Sequence, residues 1–212
     1  MNLPNSITMS RIIMIPLFLW ILSSHYPWQH GGAQELAASI LFVLASITDG
    51  VDGYLARKRG QITTMGVLLD PLADKIMVTA ALIQLVAYNP DVLRVWIAVV
   101  IIGREFLISG LRSIAATEGL TISASDLGKL KTVVQIVAVV ATILAHQWDH
   151  WQIGFVVFPV RWYAIAAVYF TVLVSSVSAI DYFVGFWKQI DHASKDRRKS
   201  KILSRGPSAK IV

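Results

Sequence analysis

Residues Asp49–Lys75 read DGVDGYLARKRGQITTMGVLLDPLADK and place four carboxylates, Asp49, Asp52, Asp70 and Asp74, between two apolar runs. ELAASILFVLASIT leads into this stretch, and IMVTAALIQLVAY leads out of it. Asp49 and Asp52 are three residues apart and Asp70 and Asp74 are four apart, so each pair shares one face of a helix. An Asp near the middle of a membrane helix costs about 2.5–3.5 kcal/mol on insertion scales. Four of them call for compensation, and cations held between two helices would supply it.

The apolar setting extends over the whole chain. Its 212 residues are 55% hydrophobic and 15% charged, with a mean hydropathy of +0.61. The apolar residues come in long blocks, which with weakly polar flanks approach the roughly 20 residues that cross a bilayer. Helices are expected at about 5–24, 34–57, 67–88, 92–115, 128–147 and 160–187. A soluble all-helical core would need polar faces at helical spacing, which the blocks lack. The expected fold is an all-α integral membrane protein with six transmembrane helices. Residues 1–190 form one membrane domain, and 191–212 a basic cytoplasmic tail without fixed structure.

Charge orients the six spans. Arg57, Lys58, Arg59, Arg104, Arg112, Lys129, Lys131 and the tail fall on one side, and only Arg94 and Arg161 on the other. The positive-inside rule puts both termini and the connection after Arg57 in the cytoplasm, with the carboxylates opening to that side. The tail, with its KDRRKSK run, would be drawn to anionic headgroups. Without a cysteine the chain has neither a disulfide framework nor a thiolate site. The N-terminus lacks a signal-peptide layout, so the first apolar segment reads as a retained helix.

Other polar positions carry two readings each. Asn5, Thr8 and Arg11 recur on one helical face near the inner surface, as a capped helix with a snorkelling Arg or as part of a site. His146 and His150 stand four apart, a metal-binding spacing without an obvious third ligand, in what otherwise reads as a wet interfacial loop. Pro71 is expected early in its helix, where a missing N–H does least harm. Arg104 and Arg112, eight residues apart, face the same way, and Lys129 opens the next helix. The three converge as a phosphate-binding group or as ordinary positive-inside decoration.

The aspartates suit hard cations such as Mg²⁺ or Mn²⁺, since no His or Cys lies nearby. Two ions a few ångströms apart would neutralise most of the four charges and clamp a diphosphate. Gly50, Gly53 and Gly66 remove side chains where a ligand must approach the backbone.

The spacing Asp49-x2-Asp52-Gly53-x2-Ala56-Arg57-x8-Gly66-x3-Asp70-x3-Asp74 resembles, position for position, the signature of the CDP-alcohol phosphatidyltransferases. That resemblance implies two divalent ions held by Asp49, Asp52, Asp70 and Asp74, with Asp70 as bridge and Asp74 as general base on the acceptor hydroxyl. It implies Gly53, Ala56, Arg57, Gly66, Thr63 and Asn5 on the side of the CDP-lipid. GREFLISGLRSIAATEG, the following SDLGKLKTVVQ and the opening LPNSITMSR resemble the phosphatidylglycerophosphate synthases of bacteria. On that likeness Arg104, Arg112 and Lys129 receive the phosphate of glycerol 3-phosphate, and the phosphatidyl donor is CDP-diacylglycerol. A homodimer in the bacterial inner membrane is implied as well, with no nucleic-acid partner. Inositol phosphate, serine or phosphatidylglycerol are the alternative acceptors. A divalent-cation transporter or a non-catalytic scaffold are the alternatives from other classes.

Overall fold

Gly31 and Gly32, both with positive φ (69° and 80°), turn the chain between its first two helices. In the computed structural model the described residues are 3–27, 31–59, 64–117, 126–153 and 156–204, with side chains described for 9–27, 31–48, 72–73, 75–117, 130–152 and 157–187. Helix α1 (Leu3–Ile21) has Pro4 in its first turn, where the missing N–H has no helical partner to lose. Then follow α2 (Ala33–Arg59), α3 (Thr64–Tyr88), α4 (Val95–Thr117) and α5 (Asp126–Gln147). A short hairpin pairs β1 (Trp151–Ile153) antiparallel with β2 (Val156–Phe158), and α6 (Val160–Ser204) closes the order.

The helical class and the order of elements agree with the sequence reading. Four details stand out. α6 continues beyond residue 187 to Ser204, over part of the expected tail. Lys and Arg are good helix formers, and extending an existing helix needs no new nucleus. The loop after α5 contains a hairpin, built from aromatic and β-branched residues that favour strands. α5 ends at Gln147, so His150 lies in the loop and does not share a helical face with His146. His146 instead packs its ring on Tyr88, with centroids 4.0 Å apart. Because α3 starts at Thr64, Pro71 is its eighth residue, beyond the first turn, and α3 lacks one backbone hydrogen bond there.

α1 packs against α2 and α3, α5 against α2, α3 and α6, and α4 against α6. Phe18 and Phe42 meet at 5.7 Å in the core, beside the fully buried Leu85, Ile101 and Ile143. Ala38, Ala45, Ala81 and Ala164 are fully buried, which lets helix backbones approach closely. The outward faces are apolar on every helix, through residues such as Ile13, Ile40, Ile83, Val99, Val133 and Ile180. Glu35, Gln135, Thr142, Ser175 and Ser178 are buried instead. Apolar outer faces around an interior that also holds polar side chains depart from the pattern of a soluble domain. Among the described residues, Leu130–Gln147 and Val160–Trp187 are long and apolar enough to cross a membrane, with mean hydropathies of 1.5 and 1.9.

Side-chain amides fasten the end of the bundle remote from the aspartates. Gln34 Nε2 donates to the Ile21 carbonyl (2.7 Å) and Gln84 Nε2 to the Leu22 carbonyl (3.1 Å), satisfying groups that the end of α1 leaves open. Tyr88 donates to Glu35 Oε1 (2.8 Å), tying α3 to α2, and Asn89 Nδ2 donates to the Thr142 carbonyl (3.1 Å), tying it to α5.

A Cβ at Gly32 would overlap the Trp148 indole, whereas one at Gly31 would meet nothing within 4 Å. Both positions carry the strain of positive φ, about 1–2 kcal/mol for an ordinary residue, but only Gly32 adds the overlap. Gly32→Ala should therefore lower the apparent melting temperature in detergent clearly more than Gly31→Ala. Equal shifts would show that the Trp148 contact does not hold this turn.

Candidate active site

α2 carries Asp49, Asp52, Gly53, Ala56 and Arg57 in its last three turns, and α3 carries Gly66, Asp70 and Asp74 in its first three. Both carboxylate pairs therefore stand at the end where α2 leads out and α3 leads in. At 1.5 Å per residue the pairs span about 4.5 Å and 6 Å along their helices. α2 and α3 touch, and α1 packs on both. Thr63 lies outside the described residues, as do the side chains of the other residues named here and of Asn5 in α1. Just before Asp49, Ser46 and Thr48 donate to the carbonyls of Phe42 (2.8 Å) and Leu44 (2.6 Å), so their hydroxyl protons stay within α2. Four carboxylates from two helices, in a chain without cysteine, form a donor set that fits a hard divalent cation.

The cationic residues gather across the bundle. Arg104 Nε donates to the Ser175 carbonyl (3.1 Å), Nη2 to Ser178 Oγ (2.7 Å) and Nη1 to Glu105 Oε1 (2.7 Å). Lys131 Nζ pairs with that same Glu105 oxygen. Arg112 lies over the Tyr182 ring, 5.8 Å from its centroid. Arg104 and Arg112 thus both face α6, as their eight-residue spacing requires. Three of the five N–H groups of Arg104 are occupied, leaving two for a ligand. The Lys129 side chain lies outside the described residues.

Arg104, Lys131 and Glu105 are only 10%, 11% and 19% exposed at the side chain, and Glu105 answers both cations. Two cations held largely out of water favour the approach of an anion. Arg11 is buried at 2% exposure, so it does not snorkel to a surface. A cavity of about 50 Å³ between α2, α3, α4 and α5 is lined by Ser46, Lys75, Glu105, Lys131 and Gln135, among others. Sequence reasoning assigned neither Lys75 nor Gln135 a role. Lys75 stands directly after Asp74 in α3, where adjacent residues point in different directions. Gln135 carried a signal, a lone amide inside the apolar run TVVQIVAVV of a helix.

Replacing Glu105 by Gln should destabilise the protein by about 2 kcal/mol, because two cations lose their counter-ion. Ser178→Ala removes one hydrogen bond and should cost about 1 kcal/mol. Thermal unfolding in detergent ranks the two, and a Glu105 variant as stable as wild type would disprove the shared pairing.

Comparison with known proteins places these residues in a wider context. The family model described as CDP-alcohol phosphatidyltransferase matches residues 1–177. A CDP-diacylglycerol–glycerol-3-phosphate 3-phosphatidyltransferase of Bacillus subtilis is 43% identical over 197 residues, covering 89% of this chain and 97% of its own. Proteins of the same name from Rickettsia typhi and Wigglesworthia glossinidia brevipalpis are 41% identical over 144 residues and 31% identical over 195. The first covers 68% of this chain and 76% of its own length, the second 90% and 97%.

Proposed function

The chain belongs to the CDP-alcohol phosphatidyltransferase family, and on that premise we propose that it transfers the phosphatidyl group of CDP-diacylglycerol to sn-glycerol 3-phosphate, giving phosphatidylglycerophosphate and CMP. One observation carries the reading. The complete family spacing stands on α2 and α3, inside a chain that matches relatives of that activity along most of its length.

The chemistry follows from the chain's own groups. Asp49, Asp52, Asp70 and Asp74 would hold two divalent cations, Mg²⁺ or Mn²⁺, with Asp70 shared between them. When bound, such ions supply Lewis acidity and neutralise the diphosphate. Asp74 accepts the proton of the acceptor hydroxyl, which is a poor nucleophile until that proton has somewhere to go. The hydroxyl oxygen then forms a bond to the lipid-side phosphorus, and the bond from that phosphorus to the CMP oxygen breaks. Gly53, Ala56, Gly66, Arg57, Thr63 and Asn5 receive the cytidine diphosphate half. Arg104, Arg112 and Lys129 receive the acceptor's phosphate, and the low exposure of Arg104 beside Lys131 supports that role.

The setting is part of the proposal. Six helices cross the inner membrane of a bacterium, both termini lie in the cytoplasm, and the aspartates open there. The apolar outer faces of all the helices support this arrangement. A homodimer, which the family likeness implies, completes it.

The purified protein with CDP-diacylglycerol, Mg²⁺ or Mn²⁺ and labelled glycerol 3-phosphate should release CMP. Chelation should abolish release, and added metal should restore it. Release with inositol phosphate or serine, but not with glycerol 3-phosphate, would overturn the acceptor. Asp74→Asn should lower kcat by about 10²–10⁴-fold and leave CDP-lipid binding largely intact. Normal turnover by that variant would remove Asp74 as the base.

A further inference from the structure

Three donor groups outside the family spacing converge on the cavity between α2, α3, α4 and α5. Ser46 precedes Asp49 by three residues and Lys75 follows Asp74 directly, so the cavity lies about one helical turn along the bundle from the aspartates. A water needs about 10–15 Å³ of such space, so about 50 Å³ admits a tetrahedral oxyanion.

Gln135 is 4% exposed, and its Nε2 has no hydrogen-bond partner among the described residues. A buried donor in that state costs about 1–3 kcal/mol unless a ligand accepts from it. The neighbouring lining groups do not relieve it. Lys75 and Lys131 are themselves donors, the Ser46 proton goes to the Phe42 carbonyl, and Glu105 Oε1 is already shared by Arg104 and Lys131. Two lysines and an amide lining one space suit an anion that offers several oxygens.

The geometry points to a phosphate subsite formed by Lys75, Lys131 and Gln135, with Glu105 as the positioning residue that holds Lys131 beside Arg104. Its ligand is the phosphate monoester of the acceptor. This rests on the reading of the protein as a phosphatidyltransferase for a phosphorylated alcohol, and it extends the acceptor group from α4 and α5 to α3. Gln135 would then help select phosphorylated over phosphate-free alcohols.

The test uses the full chain in detergent, with Gln135→Leu and Gln135→Glu beside wild type. Inorganic phosphate is titrated calorimetrically, and KM is measured for each substrate. Gln135→Leu should weaken phosphate binding and raise the glycerol 3-phosphate KM about tenfold, and Gln135→Glu should do so more strongly. The CDP-diacylglycerol KM and kcat at saturating acceptor should change little, which also shows that the variants fold. Unchanged phosphate affinity, or a fall in kcat with both KM values unaltered, overturns the subsite. So does wild-type protein that binds no phosphate. If wild type fails to use glycerol 3-phosphate, the acceptor reading fails, and the phosphate titration still decides the subsite by itself.

Discussion

Polar groups inside this bundle have to be satisfied by other parts of the chain, because the outward faces of its helices are apolar. The two ends meet that constraint differently. At the end remote from the aspartates, Gln34, Gln84 and Asn89 donate to backbone carbonyls, and Tyr88 donates to Glu35. Those contacts join four helices with side-chain donors that find their acceptors inside the protein. At the other end Glu105 answers both Arg104 and Lys131, and Gln135 Nε2 keeps a donor in reserve. The remote end is tied together by neutral donors, and the other gathers its charged groups.

That asymmetry suits a reaction between two phosphorylated substrates of unlike solubility. The α2–α3 pair supplies carboxylates, which attract divalent cations and through them a diphosphate. The α4–α5–α6 side supplies cations and donors, which attract a phosphate directly. On the proposed reading, carboxylates on one wall and cations on the other would keep the two anionic substrates apart in kind while holding them close in space. The small buried residues Ala38, Ala45 and Ala81 on α2 and α3, and Ala164 on α6, let the helices pack tightly.

Much of this is written in local spacing. The three- and four-residue intervals of the aspartates, the apolar blocks that became helices and the shared face of Arg104 and Arg112 all depend on residues within a few helical turns. Helical geometry alone decides them. The same holds for the family pattern, whose positions fall on the end of one helix and the start of the next. Boundaries were less legible. Pro71 lies further into α3 than expected, and α6 runs beyond its apolar segment, because helix ends depend on what the chain packs against.

The sequence by itself determined the helical class, the carboxylate register and the sign of the charge on each part of the chain. Tertiary structure alone decided what those charges face. Arg104 reaches Ser175 and Ser178 across more than seventy residues of sequence, and Arg11 is buried where an isolated helix would let it extend to the surface. Gln135 has the composition of a misplaced polar residue until Lys75 and Lys131 are seen around the same cavity. The reason is physical. Periodicity reports which face of a helix a residue occupies, but the partner across that face comes from a distant segment, and only packing brings the two together.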